Sequence, residues 1–329
     1  MIKHILSILL GIVLTISNIR AQKEQWTIFN TYNSGLPVNS IHTIVIDQYN
    51  VKWIGTWGGG LVKYDDESWS VFDTTNSGLP HNTIYTIKID RENNKWIGTF
   101  GGGVAKYDDT KWIIYDKSNS GLPHDWIYAI TIDKTGNKWI GTWGGGLAAF
   151  DNKNWEIYNT SNSPLPNIKV TALAVDFKNN IWIGTSGELV MFDGRDWYNS
   201  IDLNIYPTIE GVYAFHVDEN GKVYIGIKFG GINIIDGKKY KSLTKENSGL
   251  PYDGVSSLTT DIDGNIWIAN FGSGLIKYDG MKWIVYDSSN SGLPDDNVFS
   301  VTIDRFNNKW IGTYSGGLVI FNEQGYSSK

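Results

Sequence analysis

Seven aspartates recur at one position of a repeated pattern, each six residues before an aromatic residue. They are Asp47, Asp90, Asp133, Asp176, Asp218, Asp261 and Asp304. Equivalent carboxylates could form a ring of metal ligands. Each of them, however, stands where a strand enters a hairpin, and aspartate at such a position caps the turn with its own side chain. We therefore predict a structural role for all seven. Calcium at the turn that begins at Asp261 is a weaker alternative, because the local sequence lacks a full loop of oxygen ligands.

Histidine and cysteine offer little further chemistry. His81 and His124 each follow a proline in a loop, and a zinc site there would need ligands that the sequence does not show, so we expect solvent-facing loop histidines. The absence of cysteine excludes disulfides, thiolate metal sites and a cysteine nucleophile. No nucleophile elbow, phosphate loop or His-Glu-x-x-His motif occurs. We expect no catalytic residue, no metal and no cofactor. Carboxylate pairs assembled from distant segments for glycoside hydrolysis stay open, because linear sequence hides that geometry.

A repeated sequence motif determines where these aspartates and histidines lie in the fold. The motif Trp-Ile-Gly-Thr or a variant recurs every 42 or 43 residues. Its seven copies begin at Trp53, Trp96, Trp139, Trp182, Tyr224, Trp267 and Trp310. One unit divides into four stretches rich in β-branched and aromatic residues, here called strands a (84–90), b (95–99), c (103–108) and d (111–116). This length and composition predict an all-β, seven-bladed β-propeller of four-stranded antiparallel blades.

The two ends of the repeat region predict how the ring closes. A d-like segment beginning at Trp26 precedes the first a strand, and no d strand follows the last c strand at Leu318. We therefore expect the N-terminal strand to join the last blade, which leaves no open sheet edge.

Tryptophan separates packing residues from a candidate site. Of 15 tryptophans, six begin b strands and six begin d strands, whereas Trp57, Trp126 and Trp143 lie in b–c or d–a connections. Those two classes of connection emerge on the same face of a propeller. Phe100 and Tyr314 are equivalent to Trp57, and Phe271 lies beside that position, so aromatic rings partly encircle the central opening. Such rings suit stacking on sugars, aromatic ligands or protein side chains, or they cover the glycine loops of neighbouring blades.

Blades four and five depart from the pattern on that same face. Their b–c connections carry Glu188 and Lys228, and Tyr206 and Glu210 lie in the loop that leads into blade five. These residues could give polar specificity opposite the aromatic arc, or they could reflect neutral drift. The predicted ligand-binding set is therefore Trp57, Phe100, Trp126, Trp143, Glu188, Lys228, Phe271 and Tyr314.

The stretch Asn-Ser-Gly-Leu-Pro-His-Asn-Thr-Ile-Tyr-Thr-Ile-Lys-Ile-Asp-Arg-Glu-Asn-Asn-Lys-Trp-Ile-Gly-Thr-Phe-Gly-Gly-Gly, residues 76–103, closely resembles the two-component regulator propeller repeat. The family implies a periplasmic ligand-binding sensor region, with two propellers ahead of a further β-domain, a membrane span and a histidine kinase. Since this chain has seven repeats and no second hydrophobic span, we expect a propeller for recognition without direct phosphorelay.

Composition and the N-terminus bear on location and partners. A net charge of −6 and a pI near 5.4 argue against nucleic acid and anionic membrane surfaces as partners. Residues 1–21 have the three-part layout of a secretory signal peptide, with cleavage expected after Ala21. The apolar segment of 12 residues is too short to span a bilayer. We expect residues 22–329 to form the propeller in the periplasm or outside the cell, with no membrane span.

Three functions compete at this point. The first is a non-enzymatic recognition module that binds a small molecule, a glycan or a partner protein on the aromatic face. The second is a lyase or hydrolase of the streptogramin B lyase kind, which would need histidines and glutamates converging on magnesium. The contributors to such a site would be His81, His124, His216, Glu188 and Glu210. The third is a scaffold that docks a membrane sensor.

Overall fold

A computed structural model describes residues 25–205 and 211–326, and these residues form strands and connections without a helix. The predicted signal peptide lies outside the described residues, as do Tyr206 and Glu210. In neither described range is there a helix with the length and apolar character needed to cross a membrane.

Twenty-eight strands follow one another in the described chain. The first thirteen are β1 (Trp26–Phe29), β2 (Ile41–Ile46), β3 (Lys52–Thr56), β4 (Leu61–Tyr64), β5 (Trp69–Phe72), β6 (Ile84–Ile89), β7 (Lys95–Thr99), β8 (Val104–Tyr107), β9 (Trp112–Tyr115), β10 (Ile127–Ile132), β11 (Lys138–Thr142), β12 (Leu147–Phe150) and β13 (Trp155–Tyr158). Apart from β1, they make up blades one to three.

The remaining strands build blades four to seven. They are β14 (Val170–Val175), β15 (Ile181–Thr185), β16 (Leu189–Phe192), β17 (Trp197–Asn199), β18 (Val212–Val217), β19 (Val223–Ile227), β20 (Gly231–Asp236), β21 (Lys239–Leu243), β22 (Val255–Thr260), β23 (Ile266–Asn270), β24 (Gly274–Tyr278), β25 (Trp283–Tyr286), β26 (Val298–Ile303), β27 (Lys309–Thr313) and β28 (Leu318–Phe321).

The strands form seven four-stranded antiparallel sheets, each ordered a-b-c-d from the inside outwards. The a strands of successive blades contact one another, and β2 of blade one contacts β26 of blade seven. The seven a strands therefore surround a central axis, and the predicted seven-bladed propeller is confirmed.

The ring also closes as predicted, through the N-terminal strand. Strand β1 pairs antiparallel with β28, with Trp26 opposite Phe321 and Phe29 opposite Leu318. The rings of Trp26 and Phe321 stack with centroids 4.1 Å apart. Blade seven thus gains its outer strand from the other end of the chain, so that no blade lacks its fourth strand.

The repeated aspartates occupy the hairpins between strands a and b. In blade one, Asp47 Oδ1 accepts hydrogen bonds from the backbone N–H groups of Tyr49 and Val51. Its Oδ2 accepts one from the indole N–H of Trp53, at 3.1 Å. The turn-capping role is as predicted, and the link from the carboxylate to the b-strand indole adds to it. Each capped hairpin therefore also orients the largest side chain of the blade interface.

Glycine in the repeated motif allows neighbouring blades to approach. A Cβ atom on Gly55 would lie 2.6 Å from Thr43 Cγ2 in the same blade and 2.7 Å from Ile84 Cγ2 in the next. Real Cβ atoms do not approach carbon so closely, so this position favours glycine on steric grounds. The close contact holds the a strands near the axis, where they line a narrow central channel.

Candidate ligand-binding face and central channel

The loop between strands b and c is held by the threonine of the motif. In blade one the Thr56 hydroxyl donates to the carbonyl of Gly60 at 2.7 Å and accepts from the N–H of Gly59 at 3.0 Å. Gly60 has φ +87°, and a Cβ there would lie 2.2 Å from the carbonyl oxygen of Phe72. These bonds fix the tight loop in which Trp57 stands.

One residue of each b–c loop lies at the same place around the central opening, and we call these seven residues the rim. The rim consists of Trp57, Phe100, Trp143, Ser186, Lys228, Phe271 and Tyr314. In every blade the backbone N–H of the rim residue donates, at 3.0 Å, to the carbonyl of the residue just before strand a. Phe271 therefore occupies the rim position itself, whereas the sequence interpretation placed it beside that position.

Aromatic contacts run along part of the rim. Trp126, which precedes strand β10, stacks on Phe100 with centroids 4.2 Å apart, and it meets Trp143 at 6.2 Å. Phe100 in turn lies 6.0 Å from Trp57. Four of the predicted site residues therefore form one continuous arc over blades one to three.

A second group of rings extends the arc through blade seven. Phe299, on strand β26, lies 4.9 Å from Phe271 and 5.7 Å from Tyr314. His42 on strand β2 connects this group to the first, because its ring lies 5.3 Å from Phe299 and 6.1 Å from Trp57. His42 and Phe299 were not among the predicted site residues. Their signal in the sequence is an aromatic ring at the second position of an a strand.

The rim differs from the packed interior in its exposure. Trp57 and Tyr314 expose 48% and 58% of their surface, in contrast to at most 8% for the tryptophans at the second position of the b strands and for Trp26. Exposed, fixed rings present a flat apolar surface with polar edges, and they lose little conformational freedom when a ligand stacks on them. The arc is therefore suited to binding a planar or saccharide surface.

The rim in blades four and five is cationic and polar rather than aromatic. The ammonium group of Lys228 lies 5.3 Å from the ring centroids of Tyr213 and Phe229, and that of Lys169 lies over the ring of Trp143. Burial, together with the nearby charge of Lys228, lowers the pKa of Lys169. Glu188 accepts a hydrogen bond from the Thr185 hydroxyl through its backbone carbonyl, at 2.6 Å. We call Lys169, Glu188 and Lys228 the polar sector. Lys169, which the sequence interpretation missed, contacts Trp143 and so lies where the aromatic arc and the polar sector meet.

Below the rim, the central channel opens into a cavity of about 260 Å³. The second residue of each a strand lies around its upper part: His42, Tyr85, Tyr128, Thr171, Tyr213, Ser256 and Phe299. Tyr128 stacks on Trp143 at 4.6 Å and lies 4.5 Å from Tyr85, so the rim continues into the channel without a break. Burial lowers the pKa of His42 to about 4, which keeps its imidazole neutral at pH 7.

The far end of the channel holds a second cavity of about 350 Å³. Lys88 on strand β6 lines both cavities, and His216 on strand β18 lines this one. His216 shares a hydrogen bond of 2.8 Å between Nε2 and the Thr260 hydroxyl. Burial lowers its pKa to about 4, with a smaller opposing effect from Asp218, so it too is neutral at pH 7.

The residues proposed for a lyase-like metal site do not come together in the described chain. His81 and His124 each accept a backbone N–H bond at Nδ1, from Thr83 and Trp126 respectively. His216 lies at the opposite end of the channel from these loops. Residues 25–205 and 211–326 contain no group of three or more histidine, aspartate or glutamate side chains placed to hold a metal ion.

Residues 164–187 match the family described as "Two component regulator propeller". No curated protein matches the chain. Among solved structures, the extracellular domain of the hybrid two component system BT3049 from B. thetaiotaomicron is 23% identical, with a TM-score of 0.76, and the match covers 91% of this chain and 41% of that one. The chain thus spans about two fifths of that extracellular domain.

Two further structures share the fold at lower identity. PorZ of Porphyromonas gingivalis, a surface component of the type-IX secretion system, is 19% identical with a TM-score of 0.68, over 90% of this chain and 47% of its own. Streptogramin B lyase is 11% identical with a TM-score of 0.74, over 90% of this chain and 97% of its own. At such identities the likeness concerns the fold alone. The family match, together with the seven confirmed blades, confirms that the chain resembles the two-component regulator propeller repeat, as predicted from its sequence.

Proposed function

We propose that this protein is an exported, non-enzymatic recognition module that binds a small molecule, a glycan or a partner protein on its rim. The observation that carries the proposal is the continuous aromatic arc from Tyr314 to Trp143, which is partly exposed and lies at the mouth of the channel. Aromatic side chains on a rigid scaffold are characteristic of recognition sites, because little ordering is needed on binding.

The sector formed by Glu188, Lys228 and Lys169 supports the same proposal. An arc that is aromatic along one side and charged along the other can orient a ligand, since apolar contact supplies affinity and a few polar groups supply direction. Export is supported by the layout of residues 1–21. The names of two of the similar structures, an extracellular domain and a bacterial surface component, agree with that location.

The test begins with a thermal-shift screen of residues 22–329 against a library of glycans and metabolites. Each ligand found is then measured by calorimetry against the wild type and Trp57→Ala. Trp57 is 48% exposed, so its removal should weaken binding at least tenfold, about 1.4 kcal/mol, with little change in melting temperature.

Tyr49→Ala is the matched control. Tyr49 is 69% exposed and lies in the a–b hairpin of the same blade, on the opposite face of the propeller. We expect it to leave affinity unchanged. Equal losses in both variants, or full affinity in Trp57→Ala for every ligand found, would contradict binding at the rim.

A further inference from the structure

Lys88 is a cation without a counter-ion inside the central channel. Its side chain is exposed to the open space of the channel, and the enclosing channel wall partly desolvates it and lowers its pKa. No hydrogen bond or ion pair joins its ammonium group to another described residue. None of the described residues that line the two cavities is acidic.

The other blades show that the fold does not need a charge at this position. The fifth residues of the other a strands are Val45, Thr131, Ala174, His216, Thr259 and Thr302. The two histidines of the channel, His42 and His216, are neutral at pH 7 because burial lowers their pKa values to about 4. Lys88 is therefore the only charged side chain among the described residues that line the channel at neutral pH. Because this ammonium group faces the open channel and has no counter-ion, it is available to pair with an anionic ligand.

The wall above Lys88 is apolar and aromatic. The rings of Tyr85, Tyr128, Phe215 and Phe299 line the same cavity as Lys88. At about 260 Å³ the cavity is smaller than the roughly 300–1,000 Å³ of sites for drug-sized ligands, so a small ligand fits it best. The preferred ligand therefore has a compact planar body and one negative charge.

We propose that the central channel binds a small aromatic carboxylate, with its carboxylate paired to the ammonium group of Lys88 and its ring against the aromatic wall. The hydroxyl of Thr86, which lines the same cavity, is available to donate to the second carboxylate oxygen. The proposal goes beyond the rim function and does not rest on it, because it uses a different residue and a different ligand.

Calorimetry at pH 7 with three probes tests the class of ligand. Benzoate carries the ring and the charge, benzamide carries the ring alone, and inorganic phosphate carries the charge alone. We expect saturable binding of benzoate, with benzamide and phosphate each at least tenfold weaker. No saturable binding of benzoate would overturn the proposal, and so would equal affinity for benzamide or for phosphate.

Variants of Lys88 test the residue. Lys88→Met keeps the length of the side chain and should lose at least tenfold in benzoate affinity, whereas Lys88→Arg keeps the cation and should retain most of it. Lys111→Met, on an exposed loop, changes the net charge equally and should bind as the wild type does. Should Lys88→Met fail to fold, Lys88→Thr, which copies Thr131 of blade three, replaces it. Undiminished benzoate binding in the folded variant would overturn the assignment.

Discussion

Blades seven, one, two and three differ from blades four, five and six at the first residue of strand b. In the first group this residue is a buried lysine whose ammonium group lies over the b-strand tryptophan of the preceding blade. The distances to the indole centroids are 4.5 Å for Lys52, 4.4 Å for Lys95, 4.6 Å for Lys138 and 4.5 Å for Lys309. In the second group the position holds Ile181, Val223 and Ile266, all buried.

The residue fourteen positions after the first residue of strand b also differs between the two groups of blades. Fourteen residues after each lysine stands a polar partner: Asp66, Asp109, Asn152 and Glu323. The first three accept a hydrogen bond from their lysine. Glu323 lies 3.9 Å from Lys309 and accepts its hydrogen bonds from Lys277. Fourteen residues after each apolar residue stand Arg195, Gly237 and Gly280. A buried cation requires a partner, because an uncompensated buried charge is strongly destabilising. The blade interfaces are thus held in two ways, by a paired lysine on an indole or by simple apolar packing.

The strongest test of this comparison removes the anion that pairs with a buried lysine. Lys95 is fully buried, and its ammonium group lies 2.6 Å from a carboxylate oxygen of Asp109. The side chain of Asp109 is 46% exposed, so solvent weakens the pair. Asp109→Ala leaves the buried cation without its anion, and we expect a loss of about 2–3 kcal/mol in the free energy of unfolding, which is below the range for a fully buried pair. Chemical denaturation measures this loss of free energy. Glu92→Ala, at an exposed loop position without such a pair, is the control and should change stability by less than about 0.5 kcal/mol.

The comparison also predicts a rescue. Lys95→Ile added to Asp109→Ala removes the buried charge and copies the apolar residue of blade four, so it should recover most of the lost stability. Two results would contradict the comparison: a loss under about 1 kcal/mol in Asp109→Ala, or a further loss of stability when Lys95→Ile is added. In either case the paired lysine is not what distinguishes the two groups of blades.

The sequence predicted the fold because its signal repeats seven times. The spacing of the b-strand aromatic residues, the position of the turn aspartates and the d-like segment at Trp26 each indicate the same ring. The channel could not be predicted in this way. His42, Tyr85 and Lys88 look like ordinary alternating strand residues, and only closure brings their side chains to one axis. The lysine interfaces were missed for the same reason, since each joins residues of two blades that lie about 40 residues apart or more.

The two channel histidines, one in each group of blades, make a pH-dependent prediction. Burial lowers the pKa of His42 and of His216 from 6.5 to about 4. The unfolded chain therefore binds more protons than the folded chain between about pH 6.5 and pH 4, and stability falls as the pH falls through that window. A shift of this size corresponds to a loss of up to roughly 3 kcal/mol for each histidine.

Chemical denaturation at a series of pH values measures this loss. His42→Phe copies Phe299 of blade seven, and His216→Thr copies Thr131 of blade three. The double variant should lose most of the dependence between pH 6.5 and pH 4. Asp133 contributes mainly below this window. Burial alone would raise its pKa, but hydrogen bonds from Thr135, Trp139 and Asn137 outweigh that effect and hold the pKa below 3.8. An unchanged pH profile in the double variant would show that the channel does not hold these histidines neutral.

The smallest expected effect concerns the glycine of the repeated motif, which blade six replaces with Ala269. A Cβ on Gly98 would lie 2.6 Å from Cγ2 of both Thr86 and Ile127, so Gly98→Ala should cost about 1–3 kcal/mol through overpacking. In blade six, Ala269 faces Ser257, which lacks the methyl group of Thr86. Thr86→Ser should therefore recover part of the loss in the double variant, and Ile127 accounts for the remainder. Thermal or chemical denaturation that shows a cost under about 0.5 kcal/mol for Gly98→Ala would mean that the a strands can move apart. The channel would then be wider in solution than the close glycine contacts require.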